Sequence, residues 1–256
     1  MKVTILGTGT SQGVPVIGCT CETCTSTNPK DKRLRTSAYI EIDDTSILID
    51  TSADFRQQML DNKFDDVDTV LFTHHHIDHI AGLDDLRQIN QRLEKSIDLY
   101  GNSLTIDELS VTFRYVFDER LRSHMAVPLV DMHKIENKPF TVNGIDIIPI
   151  EVIHGRLPIF GYRIGNFAYV TDASFIAEEE EKKLEGLDVL VLNALRERPH
   201  PTHFNIEQAT ELAKKYGAKK TYFTHMTHEV LHDRVNAELP PGIELGYDGL
   251  TFELTN

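Results

Sequence analysis

Four histidines and an aspartate crowd into six residues, His74-His75-His76-Ile77-Asp78-His79, which with Thr73 before them follow the strand-like Val70-Leu71-Phe72. The pattern is H-x-H-x-D-H. His74 and His76 stand two apart on extended backbone, so both project to one side and can bite a single metal ion. Asp78 and His79 follow where the chain can turn into a helix and face a second ion, while the alternate His75 points the other way. A chance group of surface histidines is the plain alternative. It does not account for an apolar run leading straight into the cluster, or for the aspartate inside it.

A second group is Cys19-Thr20-Cys21-Glu22-Thr23-Cys24, in a loop flanked by glycine and proline, and it holds all three cysteines of the chain. Three thiols cannot pair off, so the spacing reads as metal binding in a reducing compartment and not as a disulfide framework. Zinc takes four soft or borderline ligands in a closed tetrahedral site, so the three thiolates need one more partner. Three small buried residues are the bland alternative, and a redox pair would leave an odd thiol.

These residues need elements to hold them. Short β-branched runs recur at residues 3–6, 38–42, 46–49, 69–72, 146–153, 160–164, 167–171, 189–192 and 221–223. Five of them lead into a polar residue: Asp50, His74, His154, Asp172 and His225. A strand that ends this way delivers its polar group to one edge of a sheet. Helical periodicity is clearest in Ile206, Ala209, Leu212, Ala213 and Tyr216, opened by an Asn205/Gln208 capping box and closed at Gly217. Residues 84–95 and 177–184 read as surface helices. With strands in both halves and helices after them, the chain is expected to be a layered α/β protein, and without a low-complexity linker it reads as one domain over 1–256.

In these motifs and their order the sequence resembles the metallo-β-lactamase-fold hydrolase superfamily. After the H-x-H-x-D-H motif such enzymes place a histidine at a later strand end, then a bridging aspartate, then a last histidine. His154, Asp172 and His225 stand in that order. The resemblance implies an αββα sandwich with two divalent metals, zinc or manganese, at strand ends along one edge. His74, His76 and His154 would hold the first metal, and Asp78, His79 and His225 the second, with Asp172 bridging. Asp50 would support the site without binding metal. The family has glycine two residues after that aspartate, where this chain has Ser52.

Within the superfamily, Gly7-Thr8-Gly9-Thr10-Ser11-Gln12-Gly13-Val14-Pro15 followed by Gly18-Cys19 resembles the cyclic phosphate phosphodiesterase branch. That branch holds the enzyme that opens a ribosyl cyclic phosphate in the carbon–phosphorus lyase pathway. It implies a structural zinc on a cysteine loop at 18–25, held by Cys19, Cys21, Cys24 and His228. It also implies that a histidine before a helix, here His203, donates a proton or stabilises phosphate charge. His200, three residues earlier, lacks the helix-cap context. His124, His133 and His232 carry no motif.

The implied reaction is hydrolysis of a small cyclic phosphate or nucleotide-like diester by a metal-bridging hydroxide, with Asp78 orienting the nucleophile. Forty acidic residues against twenty-six basic ones give a formal charge of −14. That is the wrong sign for tracking a long nucleic acid, which argues against a transfer-RNA 3′-endonuclease. Two divalent ions in one cleft would still favour a small phosphate ester. Arg33, Arg35, Arg196 and Arg198, in short basic runs, are candidates to grip the phosphate, and Tyr115, Phe117 and Arg120 to line the pocket. No stretch is long enough to span a membrane and the N-terminal apolar run is too short for a signal peptide, so a cytoplasmic protein is expected. Oligomeric state is open, a homodimer being the form to test. Two rivals remain: a lactone or thioester hydrolase of the same fold, and a non-catalytic binding protein of that fold in cofactor biosynthesis.

Overall fold

A computed structural model describes residues 1–122 and 126–255, which leaves His124 outside the described residues. The first half of the chain runs β1 (Lys2–Gly7), β2 (Ser37–Ile42), β3 (Thr45–Ile49), β4 (Thr69–Leu71), β5 (Ile97–Gly101) and β6 (Val130–Lys134). The second half runs β7 (Phe140–Val142), β8 (Ile145–His154), β9 (Leu157–Ile164), β10 (Phe167–Val170), β11 (Phe175–Ile176), β12 (Val189–Asn193), β13 (Lys220–Thr224) and β14 (Ile243–Leu245). A last strand, β15 (Thr251–Glu253), returns to pair antiparallel with β1. One sheet has the order β15-β1-β2-β3-β4-β5-β6, and the other β11-β8-β9-β10-β12-β13-β14 with β7 on β8.

Alternation along the strands builds the layers. Ile47 and Ile49 of β3 face inward, where they join Ile147, Tyr162, Tyr169 and Val191 of the opposite sheet. Leu48, between them, faces outward and packs with Phe55, Met59, Leu83 and Leu86 of the flanking helices. In the other sheet Val189 and Val191 face inward, whereas Leu190 and Leu192 face outward onto Ala209, Ala213 and Tyr216. Period-2 side-chain direction thus produces three apolar layers from two sheets, and the architecture is αββα.

The helix Ile206–Tyr216 forms with the expected capping box and a left-handed Gly217. The two surface helices are shorter than expected. Residues 84–95 divide into a 3₁₀ turn, Ala81–Asp85, and a helix, Leu86–Leu93, stopped by left-handed Glu94. Residues 177–184 divide into Glu178–Glu181 and a 3₁₀ turn, Lys182–Leu184. Among the described residues, no helix is long and apolar enough to cross a membrane.

Candidate metal centre

Three of the five polar strand ends have positive φ: Asp50 (62°), Asp172 (59°) and His225 (57°). Such conformations cost non-glycine residues about 1–3 kcal/mol each and persist where the surroundings fix them. Each turns the chain off its sheet at the same edge. The turn after Asp50 needs no glycine. Ser52 is fully buried and outside the positive-φ set, and its Oγ donates to Gln58 Oε1 (2.9 Å) and accepts from the Asp54 amide (3.1 Å).

After β4 the chain bends at Thr73, runs on through His74–His76, and then enters the helix Ile77–Ile80, whose first turn carries Asp78 and whose last carries His79. The Nε2 of His74 lies 3.0 Å from His76 Nδ1. Ligand-type atoms of His74, His76 and His154 fall within 4.8 Å of one another, and so do those of Asp78, His79 and His225. Asp172 groups with His74 and His79, and also with His154 and His203, so it stands between the two sets. His75 belongs to neither.

The donor set fits divalent ions. The Nε2 of His79 and both ring nitrogens of His225 are buried without a hydrogen-bond partner, a state natural interiors rarely leave unexplained. The His79 Nε2 lies 3.4 Å from both Asp78 Oδ2 and Asp172 Oδ2, and His225 Nε2 lies 3.1 Å from Asp172 Oδ1. Burial works to lower the pKa of His79, yet the carboxylates of Asp78, Asp172 and Asp50 hold it well above the ordinary histidine value. Burial also opposes ionisation of Asp172, but His225 and His79 hold its carboxyl well below the usual range. His74, by contrast, is driven well below by burial and by its histidine neighbours. The centre therefore combines surplus negative charge with neutral imidazole, which is what a divalent cation neutralises and binds.

Outer groups fix the ring orientations. The Nδ1 of His79 meets Asp50 Oδ2 at 2.7 Å, and Asp50 itself accepts from the Thr73 amide and hydroxyl, both at 2.8 Å. The Nδ1 of His154 donates to the Thr202 carbonyl (2.9 Å), which leaves Nε2 free for a ligand. Such partners select the tautomer that a metal needs. Thr73 and Thr202 had no signal in the sequence beyond adjacency to a histidine. His203 stands with Nε2 3.1 Å from Asp172 Oδ1 and Nδ1 2.9 Å from Thr202 Oγ1. Burial, against the pull of Asp172, pushes its pKa down to about 4.

Cys19, Cys21, Cys24 and His228 form a separate cluster whose ligand-type atoms all lie within 4.8 Å of one another. The Sγ atoms of Cys19 and Cys21 each lie 3.3 Å from His228 Nδ1. Amides donate to sulfur as well, Val16 N to Cys24 Sγ (3.3 Å) and Cys24 N to Cys21 Sγ (3.5 Å). The Cys24 amide and His228 lower the Cys21 thiol to about 6, whereas burial raises Cys24 to about 11. The set of three sulfurs and one imidazole suits a closed zinc site. The loop reaches this position through a tight N-terminal turn. A Cβ on Gly7 would stand 2.0 Å from the Arg35 carbonyl oxygen. Thr8 O accepts from Met226 N (2.8 Å), so the turn is tied to the residue that follows His225.

The expected phosphate-gripping arginines are engaged with protein partners. Arg33 is fully buried and donates to the Thr227 (3.2 Å) and Val230 (2.8 Å) carbonyls, with Asp31 at 3.4 Å. Arg196 and Arg198 both bind Glu229. Tyr115 donates to Asp84 and Arg120 pairs with Asp118, both on the helical flank of the first sheet. His232 is buried, its amide on Asp31, and His133 stacks on Tyr100.

An αββα sandwich that gathers two sets of ligand-type residues at its strand ends is the metallo-β-lactamase fold. The chain belongs to the beta-lactamase superfamily, whose domain model matches residues 45–226. It is 42% identical over 254 residues to a Porphyromonas gingivalis protein named octanoyltransferase, covering 98% of this chain and 51% of that one. It is 28% identical over 174 residues to coenzyme PQQ synthesis protein B of Methylobacterium radiotolerans, covering 62% and 54%. The chain thus spans about half the length of these curated relatives. Among solved structures it superposes on a diphosphatase of the PhnP family with a TM-score of 0.92 at 42% identity, covering 98% and 96% of the two chains. Zinc-bound PqqB of Methylobacterium extorquens shares the fold, with a TM-score of 0.80 at 21% identity, covering 99% and 100%.

Proposed function

We propose that this chain is a binuclear metal-dependent phosphodiesterase acting on a small cyclic phosphate or nucleotide-like phosphodiester. The observation that carries the reading is Asp172, between His74, His76, His154 on one side and Asp78, His79, His225 on the other, with His203 hydrogen-bonded to it. The 42% identical diphosphatase supports phosphorus as the reacting centre. Two divalent ions, zinc or manganese, would supply a water of lowered pKa and Lewis acidity toward phosphoryl oxygens. Asp78, held beside His79 and His225, orients the attacking water by accepting its hydrogen bond. His203 has Nδ1 facing the Thr202 hydroxyl and Nε2 facing Asp172 Oδ1, so in the tautomer with the proton on Nε2 it would pass its hydrogen bond from Asp172 to the phosphoryl or leaving oxygen when substrate is bound. Cys19, Cys21, Cys24 and His228 hold one structural zinc.

Metal analysis with a phosphodiester panel tests this. Three metals per chain and cleavage of an aryl phosphodiester or a cyclic phosphate are expected. In His203→Ala, kcat should fall by roughly 10²–10⁴-fold on an alkoxide-leaving substrate and far less on one leaving as nitrophenolate. Absence of cleavage across the panel by fully metallated protein refutes the proposal. A second reading, hydrolysis of a lactone or thioester, draws on the octanoyltransferase name of the P. gingivalis relative. It requires acyl-ester turnover that survives His203→Ala.

A further inference from the structure

β8 and β9 are joined by a two-residue turn, Gly155-Arg156, with His154 paired to Leu157 across it. Gly155 has φ 65° and Arg156 is not among the residues of positive φ. A positive φ at the first turn position alone is the type II′ hairpin, which matches strand twist and needs glycine at that place. The turn is fixed on both sides. The Gly155 amide donates to Ser174 Oγ (3.0 Å), and a Cβ on Gly155 would come within 2.8 Å of Thr202 Cγ2. Arg156 is therefore carried on a rigid corner two residues after a candidate ligand, not on a loose loop.

That corner borders a cleft of about 510 Å³ lined by His76, His154, Gly155, Arg156, Leu157, Pro201 and Thr202. The cleft opens directly off the His74/His76/His154 set. No carboxylate lines it, on a chain that carries a formal charge of −14. Arg156 is exposed, and among the described residues its guanidinium has neither an ion pair nor a hydrogen bond. The basic residues that sequence favoured are all committed: Arg33 to carbonyls, Arg35 to Asp54, Arg196 and Arg198 to Glu229.

We propose that Arg156 is the specificity-determining residue of this site. It grips a second phosphoryl group joined to the one that is cleaved and selects diphosphate-linked substrates over simple diesters. This role rests on the phosphodiesterase reading for the bond that breaks, and on the turn, the cleft and the uncommitted guanidinium for the second anion. A planar guanidinium offers two parallel N–H bonds to a phosphoryl group, which an ammonium cannot reproduce. The scissile group belongs to the centre itself, so Arg156 contributes to substrate binding and not to the chemical step.

The test uses the manganese-loaded full chain, with metal content measured before and after each titration so that chelation is not read as binding. Inorganic pyrophosphate and orthophosphate are titrated calorimetrically into the parent protein, Arg156→Ala and Arg156→Lys. Arg156→Ala should weaken pyrophosphate binding by roughly 10-fold or more, the scale of a charge-assisted pair. Orthophosphate binding should stay within about twofold, and lysine should restore only part of the loss. In turnover, KM for a dinucleoside diphosphate-type substrate should rise with kcat retained, and KM for bis(nitrophenyl) phosphate should not move. Equal effects on both anions, or none, overturn the assignment. If no phosphorus ester is cleaved yet pyrophosphate selectivity still follows Arg156, the anion site stands and the phosphodiesterase reading falls. If esters are cleaved and Arg156→Ala is indifferent to both anions, the phosphodiesterase reading stands and the anion site falls.

Discussion

Replacing Arg33 by alanine should unfold the protein more readily and leave substrate recognition alone. The guanidinium is fully buried, lies 3.4 Å from Asp31, and supplies the donors for the carbonyls of Thr227 and Val230. It thereby fastens the segment after the cysteine loop to the segment that carries His228. Removing one partner of a buried pair costs roughly 3–5 kcal/mol, most of it from the groups left unpaired. Hydrogen bonds to a charged donor contribute roughly 1.5–3 kcal/mol each, but all of these contacts share one guanidinium and do not add. The expected loss is therefore about 3–5 kcal/mol, or roughly 6–20 °C in Tm for a chain of this size. Asp31 also accepts from Ser26 Oγ (2.7 Å) and the His232 amide (2.8 Å), and Asp31→Asn leaves the buried guanidinium without its carboxylate, so its cost should be of similar size. Urea unfolding at fixed metal concentration measures the loss, and steady-state kinetics on the folded fraction measures KM. Stability within about 1 kcal/mol of the parent combined with a raised KM would refute the burial argument and return Arg33 to the phosphate.

Other outcomes follow from the same geometry. Cys21→Ser should lose one zinc per chain by metal analysis and retain the two at the histidine centre; loss of all three would mean that the clusters are not independent sites. Asp50→Asn weakens the acceptor that holds His79 Nδ1 at 2.7 Å, so chelator competition should show the second active-site metal bound roughly 10–100-fold more weakly, with the cysteine site unaffected. Burial, with Lys30 and Arg33 nearby, holds His232 down at about 4 against an ordinary 6.5. A depressed histidine is neutral in the fold, so its contribution is complete above pH 6.5 and is lost as pH falls toward 4. Urea melts across that window should show about 1–2 kcal/mol of loss from this group after solvent screening, and His232→Gln should remove it.

What could be read in the sequence had a local cause. His74, His154 and Asp172 each follow an apolar β-branched run, and that is also where the strands β4, β8 and β10 end. Spacing of two carried His74 and His76, and a capping box carried the helix Ile206–Tyr216. What could not be read depended on distant partners. Arg33 sits in a run of charges that looks solvated, and only Thr227 and Val230, some two hundred residues away, give it an interior. β5 and β6 show no apolar run because polar residues that are half-exposed or exposed interrupt them, as at Asp98, Asp131 and His133. Arg156 carries no motif. Its one sequence cue is the glycine before it, at the end of a long strand.

The pairing of β15 with β1 also bears on the order in which the molecule can assemble. Met1 N and Leu254 O are 3.2 Å apart, and Asp248 accepts from both Thr8 Oγ1 (2.7 Å) and the Leu34 amide (2.6 Å). A chain leaving the ribosome N-terminus first exposes the free edge of β1 until β15 (Thr251–Glu253) has been made. Contacts of such sequence separation form slowly, because their loop entropy is met before any of them forms. The cysteine loop likewise waits for His228. Its cysteines are made some two hundred residues before that partner, and they spend the interval without it, open to whatever metal or oxidant is nearby. Completion of the first sheet and closure of the cysteine cluster thus both wait for segments that follow β13.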